Sequence, residues 1–138
     1  FIKSKELGFK VPSLIHPDSN IHSSVKFGEG VYILPSTSIM PFTVIENYVM
    51  ISMGVNVAHH DTLGEGCFLS QGSNIGASIK LNHRVFAGIS STIMTGVNEI
   101  GEDTLIGAGA VVTKDLPANC TAVGVPAKPI KFHKENNE

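Results

Sequence analysis

Tryptophan is absent from this 138-residue chain, aromatic residues make up only 7% of it, and there are just two cysteines. An interior so poor in aromatics has to be filled by aliphatic groups. Cys67 and Cys120 lack any metal-ligand spacing and read as reduced thiols of a cytoplasmic protein. No apolar run reaches the length of a spanning helix, and the first residues do not read as a signal peptide, so no membrane partner is expected. Charge of one sign is missing too. Ten Lys and Arg against twelve Asp and Glu leave a formal charge of −2, with no basic footprint for nucleic acid. What is plentiful is glycine, 14 residues set among aliphatic ones, which suits many short turns around one core.

The turns are periodic. Counting in sixes from Ile15 gives Ile21, Phe27, Ile33, Ile39, Ile45, Ile51, Val57, Leu63, Leu69, Ile75, Leu81, Ala87 and Ile93. One residue is inserted near Asn98–Glu99, and the count resumes at Ile100, Ile106 and Val112. Sixteen of these seventeen positions are bulky and apolar, Ala87 being the exception, although Ile, Leu, Val and Phe form less than a third of the chain. Four places after each comes a mostly small residue, as at Ser19, Thr37, Cys67 and Ser73. Such a unit makes one short strand and one corner, with the small and bulky residues inward and the residue between them outward. Three units close a triangular coil of eighteen residues, and five to six coils stack into a prism. The fold class expected is all-β, a parallel β-helix of hexapeptide repeats; known members coil left-handed. A helix with its period of 3.6 does not fit.

Sorting the outward residues by face gives three ladders. Tyr32, Met50, Phe68, Phe86 and Leu105 form an apolar stripe; Asn20, Ser38, Asn56, Asn74 and Thr92 form a polar one; Lys26, Val44, Thr62 and Lys80 are mixed. A soluble monomer rarely leaves such a stripe open. Burial between subunits of a cyclic homotrimer is expected, with cover by the chain's own C-terminal tail as the alternative. Residues 15–117 are assigned to the β-helix and 118–138 to a cap and tail. Residues 1–14 read as the end of a helix, then an extended connector from a possible N-terminal domain.

One stretch breaks the pattern. In "NVAHHDTLGEG", His59 and His60 sit at a corner and Asp61 takes an inward small position, the only charged residue at any such place. A buried carboxylate costs several kcal/mol unless partnered, and rule-breaking positions are where function is expected. A carboxylate beside an imidazole can orient it and raise its basicity, as a general base requires. One coil on, Gly76-Ala77-Ser78 stacks on the histidine corner and is expected to leave backbone N–H groups open to an oxyanion or thioester carbonyl. Another edge carries Gly88-Ile89-Ser90 and Gly107-Ala108-Gly109, slim enough for a long ligand. The two edges make one site only if a neighbouring subunit supplies the second. His16, His22, His83 and His133 read as solvated surface groups.

The repeat, the "VAHHDTLGEG" corner, "IGAGAVVTKDLP" and the closing "VGVPAKPIK" resemble the C-terminal domain of bacterial hexapeptide-repeat sugar acetyltransferases. The similar subgroup is the sialic acid O-acetyltransferases and nucleotide-linked amino-sugar N-acetyltransferases. The resemblance implies transfer of acetyl from acetyl-CoA to an amino or hydroxyl group of an activated sugar, with no metal. It implies a histidine base followed by an acidic residue. Matching through Gly64 places the base at His59, followed by His60 rather than an acid. Asp61 in the orienting role, or His60 as base with Asp61 behind it, both stay open. The resemblance further implies acetyl binding by backbone near Ala77, and coenzyme A contacts at Gly88, Ile89, Gly107, Ala108 and Lys128. It also implies a small N-terminal domain for the sugar nucleotide, of which only the segment before Ile15 is expected here. The rivals are a metal-dependent β-helix hydratase of the γ-carbonic anhydrase type and a non-catalytic binding module.

Overall fold

The computed structural model describes residues 2–133. A five-residue helix, Ile2–Glu6, leads through extended chain into the strand Leu14–Ile15. From there to Val111–Val112 every strand is two residues long, and each pairs in parallel with a strand one coil away. The register is the repeat made visible. Ile33 lies on Ile51, Phe68 on Phe86, and Asn56 on Asn74. The added residue shifts Lys80 onto Glu99. Asp115 holds it, its Oδ1 accepting the Asn98 N–H at 2.7 Å. The chain is thus a parallel β-helix of three stacked faces, as the period requires.

Inside, the bulky residues from Ile33 to Val112 are buried, and so are the small ones that precede each strand. The first coil has a neighbour on one side only, which leaves Ile15 and Phe27 44% and 39% exposed. At most corners the third residue after the bulky one adopts a left-handed backbone. Gly fills that place at Gly54, Gly66 and Gly72, and Phe42, Tyr48, His60, Ser78 and Arg84 fill it elsewhere. Its N–H then reaches the carbonyl of the corner below, as His60 does to Pro41 and Ser78 to His59, so coils are tied at the corners as well as along the strands.

The apolar stripe stands on the outer side of the longest sheet. Phe68 and Phe86 stack with ring centroids 5.3 Å apart, and Phe86 and Leu105 remain more than a third exposed. Beyond Val112 the chain adds Cys120–Val123 in parallel to the top of this sheet, turns at residues 124–127, and returns as Lys128–Phe132 antiparallel. This hairpin lengthens the sheet and does not fold over the stripe. The part of the expected tail at residues 134–138 lies outside the described residues.

Candidate active site

His59 and His60 occupy the corner between the polar and the mixed face, both exposed. Their Nδ1 atoms are 3.0 Å apart and their rings meet edge to face. One imidazole therefore carries its proton on Nδ1 and the other accepts there. The donor ring then has a free lone pair on Nε2, and the acceptor ring carries N–H at its own Nε2. His60 also lies against the ring of Phe42, one coil below, at 5.0 Å between centroids. A pair of histidines thus fixes its own tautomers, with one ring steadied from beneath.

Asp61 takes no part in that pairing. Its side chain points into the prism, 1% exposed, where Oδ1 accepts the Ile79 N–H at 2.7 Å and Oδ2 has no partner among the described residues. Burial pushes its carboxyl up to about 7, against the pull of the Ile79 and Ser78 N–H groups. No hydrogen bond joins Asp61 to either imidazole among the described residues, so the expected carboxylate–histidine contact is not made. The reason is the pleat: the residue before each strand faces inward while the corner before it faces out.

The Gly76-Ala77-Ser78 corner does stack on the histidines, since Ile75 lies on Val57 and the Ser78 N–H meets the His59 carbonyl at 3.0 Å. Its backbone is not open as expected. Gly76 donates to Ile93, and the Ala77 N–H is taken by Thr95 Oγ1 at 3.1 Å. The stacking is too close for any side chain at Gly76, where a Cβ would lie 2.3 Å from the Thr95 nitrogen. Of these N–H groups only that of Ala77 is held by an exposed hydroxyl, which can turn away on a single torsion.

Gly88, Ile89, Gly107 and Ala108 stack at another corner, between the apolar and the polar face, away from the histidines. A Cβ at Gly88 would lie 2.5 Å from the Ile106 oxygen, so the slimness there is required by coil stacking. Ile89 and Ala108 are exposed beside it. Lys128 opens the last strand and borders a cleft of about 230 Å³ with Lys114 and Pro126. A groove of about 330 Å³ runs up the polar face beside the histidine corner, past Asn56, Ala58, Asn74, Gly76 and Thr95.

Cys67 is buried, its thiol pushed up to about 12 by desolvation and its Sγ donating to the Asn82 carbonyl, so it is no nucleophile. The other histidines make local surface contacts: His16 with Asp18, His22 with Ser24, His83 with Glu46 and His133 with Thr121. Among the described residues of this one chain, no group of three or more His, Cys, Asp or Glu could hold a metal ion. Phe42 and Thr95 escaped the sequence reading. Counting eighteen residues from His60 and from Ala77 would have found both.

No protein-family model matches the chain. It is 35% identical over 119 residues to the serine acetyltransferase of Buchnera aphidicola subsp. Schizaphis graminum, covering 86% of this chain and 42% of that protein. It is 32% identical over 108 residues to the galactoside O-acetyltransferase of Escherichia coli, covering 78% and 44%. Among solved structures, PerB of Caulobacter crescentus in complex with CoA and GDP-perosamine superposes with a TM-score of 0.91 at 35% identity, over 94% of this chain and 62% of that one. The acetyltransferase domain of PglB from Neisseria gonorrhoeae gives 0.90 at 27% identity, over 94% and 62%. The chain spans less than half the length of these two curated relatives and about three fifths of each of the two solved chains. In its repeat, its coil and these likenesses, the chain is a hexapeptide-repeat β-helix similar to the matching part of these acetyltransferases, with the fold of PerB and of the PglB acetyltransferase domain.

Proposed function

We propose that the chain transfers acetyl from acetyl-CoA to an amino or hydroxyl group of a nucleotide-activated sugar, with His59 as general base. The observation that carries this reading is the His59–His60 pair on a corner backed by Gly76-Ala77-Ser78. His60 stands where the family has an acid, and it does an acid's orienting work differently. With its Nδ1 accepting from His59 Nδ1–H, it leaves the His59 Nε2 lone pair facing outward. That nitrogen takes the proton as the acceptor attacks the thioester carbonyl. The carbonyl oxygen, now negative, takes the Ala77 N–H in place of Thr95 Oγ1. The C–S bond then breaks, and the imidazolium returns its proton to the departing thiolate.

Acetyl-CoA as co-substrate is supported by the coenzyme in the PerB structure and by the slim corner at Gly88, Ile89, Gly107 and Ala108. Lys128 supplies charge for the coenzyme's phosphates. GDP-perosamine in the same structure supports an amino sugar as the acceptor class. Because the two corners lie on different edges, a second copy has to bring one to the other. The open apolar stripe is the surface for that contact, in a homotrimer.

The test is thiol release from acetyl-CoA in the presence of nucleotide-linked amino sugars. His59→Ala should lower turnover by about 10²–10⁴-fold with coenzyme binding retained. Undiminished turnover in that variant rejects His59 as the base.

A further inference from the structure

Asp61 is left unused by this chemistry, yet a carboxyl group inside the prism is costly to bury. A buried carboxylate with one oxygen unpartnered stands where Val25, Val31, Val49 and Val55 stand in other repeats. What it does touch is the backbone of the corner above. At Val25, Cys67, Ser73, Ser91, Val97 and Ala110, the N–H of the inward residue closes its own turn on the carbonyl three residues back. The Ile79 N–H is instead drawn across to Asp61 Oδ1, 2.7 Å away in the coil below. Inward side chains have a second reach as well. Thr37, Thr43 and Cys67 each donate to the carbonyl fifteen residues on, those of Ser52, Ala58 and Asn82. For Asp61 the matching carbonyl is that of Gly76, the first residue of the same corner.

We propose that Asp61 is a positioning residue for the Gly76–Ile79 corner, holding its backbone from within the prism so that Ala77 presents its N–H to the thioester carbonyl. This rests on the acetyltransferase reading above. The corner is pinned on three sides. Asp61 holds Ile79 from the core, His59 holds Ser78 from the coil below, and Thr95 covers Ala77 from the coil above. Remove Asp61 and Ile79 can close its own turn as those six corners do, which changes the tilt of the peptide planes between Gly76 and Ile79. The thioester carbonyl then meets an N–H aimed elsewhere, while the coenzyme's contacts on the Gly88 and Gly107 corner are untouched.

Two substitutions separate positioning from mere support. Asp61→Val restores the residue found at other inward positions; Asp61→Asn keeps an oxygen to accept the Ile79 N–H. The expected result for Asp61→Val is a Tm at or above that of the unsubstituted protein, kcat down by about 30-fold or more, and a Kd for free CoA within about twofold. Asp61→Asn should recover kcat to within about threefold. Full turnover in Asp61→Val overturns the proposal. A lowered Tm with lost turnover also overturns it, since the role is then structural. Should the unsubstituted protein itself transfer no acetyl, the acetyltransferase reading fails instead. The corner can still be read from whether acetyl-CoA raises Tm more than CoA does in the unsubstituted protein, and equally in Asp61→Val; a preference that survives the substitution counts against the proposal.

Discussion

Asp61 and Val55 hold the same place in successive hexapeptides, and both are buried, yet only one wants a proton. The carboxyl ionises near 3.8 in an unfolded chain and near 7 in the fold. Between those values the folded state holds the proton and the unfolded state does not, so stability falls as pH rises from about 4 to about 7 and levels off above. The loss is on the order of a few kcal/mol. Urea midpoints measured from pH 4.5 to 8 should show Asp61→Asn gaining on the unsubstituted protein as pH rises; a constant difference contradicts the burial argument. The exceptional character of Asp61 was legible in the sequence, because a charge at an inward place stands out against the repeat. Its partner was not. Proximity in sequence pointed to His59 and His60, whereas the pleat turns Asp61 inward to an N–H eighteen residues away.

Corners impose two different demands that look alike in sequence. Gly88 is slim because the next coil leaves no room: a Cβ would lie 2.5 Å from the Ile106 oxygen and 2.7 Å from the Ala108 nitrogen. Gly54 is glycine for its left-handed backbone, φ 65°, with open space around it. Gly88→Ala should cost about 1–3 kcal/mol through forced separation of coils, and Gly54→Ala about 1 kcal/mol through backbone strain alone. Thermal melts of the two check the order, and a larger loss at Gly54 contradicts it. The strands themselves were readable to the residue, because a period of six leaves no other register for seventeen units. The Lys128–Phe132 strand was not, since it lies beyond the repeat and pairs antiparallel. The capped Ala77 N–H was hidden for another reason: the sequence shows that a corner is slim but not which neighbouring hydroxyl reaches into it.

The whole molecule presents one open apolar flank and two edges, proposed to share one site, that a single prism keeps apart. Phe68→Glu together with Phe86→Glu places like charges in the middle of the stripe; the unsubstituted protein should sediment as the proposed trimer and this variant as protomers. Turnover should vanish with the assembly although each prism stays folded, because the second edge is lost.

Mixing two defective subunits tests this division of labour most directly. His59→Ala removes the proposed base on one edge, and Gly107→Val fills the slim corner on the other, where even a Cβ would lie 2.7 Å from Val123 Cγ1. Each protein alone should be inactive. If the site is built from the edges of two neighbouring copies, unfolding and refolding the pair together in equal amounts restores about a quarter of full turnover, the chance that both contributing edges are intact. Mixed assemblies that form and stay inactive would place both edges' work within one subunit and contradict the account.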